Sequence, residues 1–237
     1  MDHTPLEILY EAGPCLAVFK PAGVLTQAPP GIDSMELRIK TFLRAREGKP
    51  GNIYLGVPHR LDRPVSGVLV VARHVRAARR LAEQFEARVV RKLYWAAVEG
   101  DVAPAEATWR DTLRKLPGQA RAEVVAAEHP EGREAVLRYN VRGRTPRGSW
   151  LEIELETGRM HQIRVQCASR GWPIVGDAQY GASTSFGPPS DDPRLRPIAL
   201  HGVSLAFRHP MTHESVVVSA PLPATWRELE LPAAIEP

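Results

Sequence analysis

The sequence predicts an α+β fold, a mixed and mainly antiparallel central sheet with flanking helices, in one domain over residues 1–237. Three observations predict it. Short strand patterns dominate, most clearly at 150–156, where Leu151, Ile153 and Leu155 face one way and Glu152, Glu154 and Glu156 the other. Helical periodicity is confined to three segments, and no internal repeat or membrane-length apolar run is present.

The elements follow in order. Residues 6–20 carry two short apolar runs around Glu11-Ala12-Gly13-Pro14, a strand pair ending in the turn Lys20-Pro21-Ala22-Gly23. Ala28-Pro29-Pro30-Gly31 is a loop. A helix is predicted over 35–47 from Leu37, Ile39, Phe42 and Leu43, stopped by Gly48-Lys49-Pro50-Gly51. A short strand at 54–57 leads into His59-Arg60-Leu61-Asp62-Arg63, and the apolar run 68–72 is a second strand. Over 74–91, Val75, Ala78, Leu81, Phe85 and Val89 recur at helical spacing, and Arg76, Arg79, Arg80 and Arg88 read as its solvated face. Strands are predicted at 92–98, 108–113, 122–127 and 135–141, a helix at 161–169, a flexible loop at 183–197, and a hairpin from 204–207 and 215–220. The arginine-rich turns, Arg110, Arg114, Lys115 and Arg121 in one and Arg142, Arg144 and Arg147 in another, are expected to lack balancing acids nearby. They suit phosphate contacts or a solvated surface equally.

Composition narrows the class without naming an activity. Hydrophobic residues at 43% and charged residues at 24% are ordinary for a folded domain, and the net charge of +4 is mild support for a polyanionic partner. Two cysteines, Cys15 and Cys167, with no CxxC pair suit a reduced compartment, and the polar first fourteen residues do not read as a signal peptide. A cytoplasmic protein with no membrane partner is the expectation.

The chemistry concentrates in two motifs. In 59–67 one carboxylate, Asp62, stands between two arginines at the lip of a strand, where guanidinium charge favours the ionised form. Such a carboxylate serves as nucleophile or base toward an anionic substrate, or simply as a salt bridge in a turn. The second motif, Thr157-Gly158-Arg159-Met160-His161-Gln162-Ile163-Arg164, follows the alternating strand. His59, His161 and His201 have no short ligand spacing, so a metal site is not expected.

Taken with Lys20-Pro21-Ala22-Gly23, Lys92-Leu93-Tyr94, Ile174-Val175-Gly176-Asp177 with Tyr180-Gly181, and Leu200-His201-Gly202, these motifs resemble, in order, the RluA family of RNA pseudouridine synthases. The resemblance runs from Leu6 to Pro223. It implies a central sheet crossed by an RNA-binding cleft, and an isomerase that needs no cofactor, no metal and no nucleotide. It implies Asp62 as the catalytic carboxylate, Arg164 as its partner, and Tyr94 as the aromatic hydroxyl that stacks on the target base and takes its proton. Arg60, Arg159, His161, Gln162 and Leu200 become candidate substrate-binding residues, with Arg60 and Arg159 candidates for holding the displaced backbone or filling the vacated space, or else for structural pairing with carboxylates such as Asp177. Structured RNA is the implied partner, transfer RNA slightly ahead of ribosomal RNA, and a monomer the implied state. Val65 stands where the family usually has Thr, and the expectation is a short form without the small N-terminal RNA-binding domain of many members. One alternative is a non-catalytic RNA-binding or RNA-folding protein on the same scaffold. Another is a glycoside hydrolase, which needs a second acidic group for which Asp177 is a poor candidate.

Overall fold

The run Ser66–Ala72 is buried at every residue, and its lack of polar alternation has a simple cause in the computed structural model, which describes residues 6–48 and 51–232. This strand, β3, is covered on both faces. Leu69 and Val71 pack with Met35, Ile39 and Leu43 of helix α1 (Met35–Glu47). Val68 and Val70 pack with Ala77 and Leu81 of α2 (Val75–Glu86). A strand sandwiched in this way is apolar throughout, and each large aliphatic side chain so buried contributes about 1.5–3 kcal/mol.

The remaining strands are β1 (Ile8–Ala12), β2 (Cys15–Lys20), β4 (Arg91–Glu99), β5 (Glu106–Lys115), β6 (Ala122–Val125), β7 (Arg133–Thr145), β8 (Gly148–Leu155), β9 (Leu200–Arg208) and β10 (Ser215–Ser219). They form one sheet in the order β1-β2-β3-β9-β4-β8-β7-β5-β6, with β10 on β9. Every named pairing is antiparallel except β3 with β9, where Ser66 and Gly67 run parallel to His201 and Gly202. The backbones meet so closely there that a Cβ on Gly67, whose φ is +139°, would lie 2.4 Å from the Gly202 carbonyl oxygen. Only glycine fits. A larger core under β4, β7 and β8 is aromatic, with Trp95 edge-on to Trp150 at 5.2 Å between ring centres.

Four predicted segments differ in detail. Residues 54–57 form no strand but one bridge, Gly56 to Ala72, because the His59 ring then takes over the edge of β3: its Nε2 accepts from the Val70 N–H at 2.9 Å. Helix α2 stops at Glu86 instead of running to 91, since Arg88 turns left-handed at φ 58°. The third helix, α3 (Gln162–Ala168), is capped by His161, also left-handed at φ 51°. The segment 183–197, expected as a flexible loop, is anchored at its start by Ser183 and Thr184 on the Glu99 carboxylate and by buried Phe186 against Trp226, and contains one helical turn at Pro193–Leu195. Cys15 and Cys167 are buried free thiols. Lys49 and Pro50 of the predicted helix stop, with residues 1–5 and 233–237 of the predicted domain, lie outside the described residues. No helix among the described residues is long and apolar enough to cross a membrane.

Candidate active site and nucleic-acid cleft

The turn carrying Asp62 is held from below by the turn after β2. Lys20, fully buried, donates through Nζ to the carbonyls of Val65 (2.7 Å), Pro21 (3.0 Å) and Arg63 (3.3 Å). Gly23 N–H donates to the Arg63 carbonyl at 2.8 Å, Arg63 Nε returns a bond to the Gly23 carbonyl at 2.9 Å, and the Thr26 hydroxyl bridges both backbone groups of Leu61. Burial pulls the Lys20 ammonium down to about 7, against the raising pull of Asp62. Lys20-Pro21-Ala22-Gly23 is therefore the floor of the Asp62 turn.

Above that floor opens a cleft of about 690 Å³, lined by all eight predicted site residues. Asp62 reaches it with 18% of its side chain exposed. One Asp62 oxygen lies 3.6 Å from Arg164 Nη1 and 3.7 Å from His161 Nε2. The His161 pKa is lowered, chiefly by burial and against the pull of Asp62, so the permanent cation beside Asp62 is Arg164. Arg164 is only 4% exposed and makes its main ion pair elsewhere. Its Nε and Nη2 donate to the two oxygens of Asp177 at 2.7 and 2.8 Å, and Nη2 also donates to Gln179 Oε1 at 2.8 Å. Burial opposes the Arg164 charge, yet the Asp177 hydrogen bonds and then Asp62 hold its pKa above the ordinary value. The Tyr180 ring backs the guanidinium at 4.9 Å, and its hydroxyl meets His161 Nδ1 at 2.9 Å and the Ala122 backbone.

Tyr94 stands on β4 beside Gly202 of β9, facing the cleft. Burial, and then the Asp62 charge, raise its hydroxyl above the ordinary tyrosine range, so it meets a substrate as a neutral phenol. Leu200 forms apolar cleft wall, and Arg60 is exposed at the rim. Arg159 donates Nε to the Glu134 carbonyl at 2.8 Å. Gln162, expected to bind substrate, is 3% exposed and its amide is committed to the protein: Oε1 accepts from Thr157 Oγ1 (2.7 Å) and Arg159 N–H (3.0 Å), and Nε2 donates to the Val136 carbonyl (3.1 Å). It builds the turn.

Other corrections follow from the fold. The arginine turns do have acids, supplied across strands or from distant segments: Arg114 pairs with Glu123 at 2.6 Å, Arg110 with Glu134 at 3.7 Å, Arg144 with Asp101 at 2.5 Å, and Arg147 with Glu228 at 3.9 Å. Arg88, read as part of a solvated helix face, lines the cleft, as do Lys92 and Lys115. Asp177, as Arg164's buried partner, offers no free second carboxylate of the glycosidase kind. His201 Nδ1 meets the Ser66 hydroxyl at 2.8 Å and Nε2 the Ala220 carbonyl at 3.3 Å.

The sequence model of RNA pseudouridylate synthases matches residues 15–169, from β2 through α3 and across both central motifs. The chain belongs to that family. It is similar to an uncharacterised RNA pseudouridine synthase of Synechocystis sp., with 34% identity over 96% of this chain and 69% of the relative. It is 36% identical to the ribosomal large subunit pseudouridine synthase D of Xanthomonas campestris, over 95% of this chain and 68% of that protein. The fold is shared with human RNA pseudouridylate synthase domain containing 4, at a TM-score of 0.76 and 21% identity, covering 94% of this chain and 93% of the other. The synthase is accordingly an RNA-modifying isomerase.

Proposed function

We propose that Asp62 is the catalytic carboxylate, working on a uridine that has left the RNA stack and entered the cleft. The observation that carries this reading is the Asp62 oxygen 3.6 Å from the Arg164 guanidinium, itself immobilised on Asp177, with Tyr94 in the same cleft. In the reaction the N1–C1′ bond breaks, the base turns, a C5–C1′ bond forms, C5 loses its proton and N1 gains one. Asp62 assists either by adding to C1′ or by removing a ribose proton to give a glycal. Arg164 steadies the carboxylate through either course. Tyr94 stacks on the base and lies close to C5; as a phenol, it must pass on its own proton before it takes another. Arg60 and Arg159 hold the displaced backbone, and extrusion costs a few kcal/mol that stacking and phosphate contacts offset. His161 lines the cleft beside Asp62, and Leu200 packs beneath the base.

Large-subunit ribosomal RNA is the first substrate to test, because the named Xanthomonas relative acts on it; transfer RNA is the second. Pseudouridine mapping of both RNA classes, with and without the protein, reads substrate and reaction together. Asp62→Asn is expected to abolish the new site while RNA affinity stays within about twofold. Normal turnover by that variant removes Asp62 from the chemistry.

A further inference from the structure

Helix α2 ends in a motif that glycine usually closes. Arg88 N–H donates to the Phe85 carbonyl at 3.2 Å and Val89 N–H to the Gln84 carbonyl at 3.1 Å, a Schellman pair around a left-handed residue. An arginine at that position carries a backbone penalty that glycine would not. Its side chain lines the cleft, opposite no carboxylate partner: among the described residues Arg88 makes no hydrogen bond or ion pair through its guanidinium.

Two more cations share that wall. Lys92 lies on β4 two residues before Tyr94, hence on the same face. Its Nζ has one partner, the Thr157 carbonyl at 3.4 Å, although an ammonium has three hydrogens to donate. Arg159 uses Nε alone, leaving its two terminal nitrogens open to the cleft. Among nearby acids, Glu156 pairs with Arg138 at 2.7 Å, Glu134 pairs with Arg110 at 3.7 Å and pulls on Arg159 only from a distance, and Glu86 forms no ion pair with any of the three among the described residues. Burial, with the charges of Arg88 and Arg159, pulls the Lys92 ammonium down to about 8, as expected where like charges converge without a counterion.

We propose that Arg88, Lys92 and Arg159 form a phosphate-binding subsite on the α2 side of the cleft, occupied by a backbone phosphodiester of the RNA strand bearing the target uridine. The subsite rests on the Asp62 reading for its location and adds the element that fixes the strand's register. Three donors, from the end of a helix, a strand and a turn, line the same cleft closely enough for their charges to act on one another, and a phosphodiester there would relieve that repulsion.

The test is binding of fluorescein-labelled fragments of total RNA, followed by anisotropy across a KCl series. Arg88→Gly and Lys92→Met are each expected to raise Kd about 5–10-fold at 0.1 M KCl, and the double variant to flatten the slope of log affinity against log salt by about 0.7 to 1. Arg76→Ala, which removes an exposed cation of α2 outside the cleft, is expected to change neither. Arg88→Gly must also melt at or above the wild-type temperature. An unchanged slope in the double variant overturns the proposal, and so does a fall in the melting temperature of Arg88→Gly that accompanies its binding loss. Asp62→Asn is expected to keep the wild-type slope. If it still forms pseudouridine while the double variant flattens the slope, the catalytic assignment falls and the phosphate subsite stands.

Discussion

The two walls of the cleft handle charge in opposite ways. On the Asp62 side the buried charges are matched: Arg164 is clamped by Asp177 and Gln179, backed by Tyr180, and offers one remaining nitrogen to Asp62. On the α2 side Arg88, Lys92 and Arg159 gather with no ion pair to a carboxylate among the described residues, although Glu86 and Glu156 line the same cleft. On the function and subsite proposed above, the contrast separates two duties. Groups that must point at a reacting atom are held by partners inside the protein, whereas groups that must grip a charged ligand are left for that ligand to neutralise.

Removing the carboxylate from the matched wall gives the largest expected effect: Asp62→Asn loses pseudouridine formation entirely while binding persists, read by mapping and anisotropy side by side. Next, Asp177→Ala strands a buried guanidinium and is expected to lower unfolding free energy by about 3–5 kcal/mol in urea melts; a loss below about 1 kcal/mol would show that Arg164 does not depend on its partner. Tyr94→Phe keeps the ring and is expected to slow single-turnover product formation by about 10²-fold or more, and an unchanged rate would withdraw the proton-transfer role. Lys20 sharpens the comparison through pH. Its folded pKa, near 7 because of burial, lies below the unfolded value of about 10.4, so between those limits the unfolded chain binds the extra proton and stability rises with pH. Lys20→Met should flatten that rise in melts from pH 7 to 10. The smallest effect belongs to the unmatched wall, where Arg88→Gly relieves the left-handed backbone and is expected to add about 1 kcal/mol of stability, measurable by calorimetry.

Much of the sheet was legible because local patterns and tertiary context agree. The helix over 35–47 has its Ser34 cap, whose Oγ accepts from Leu37 N–H at 3.2 Å, and its left-handed Gly48 stop, both visible as residue types. The end of α2 was not legible, because an arginine occupies the position where glycine would have announced it. Nor was the role of 54–57, since a histidine side chain replaces the strand ladder there. In the site, resemblance pointed to Asp62, Tyr94 and Arg164 as one group, and the cleft does bring them together. The Lys20 and Thr26 supports, and the partnership of Asp177 with Arg164, depend on segments far apart in sequence approaching within hydrogen-bond distance. Spacing carries no trace of that.

Strand β9 lies between β3 and β4, yet a hundred residues or more separate it from either in the chain. As the polypeptide leaves the ribosome, the turn bearing Asp62 and the strand bearing Tyr94 both emerge long before the piece that joins them. Their juxtaposition is thus a long-range one, completed across β9 only after the residues near 200 have been made and have paired with both neighbours.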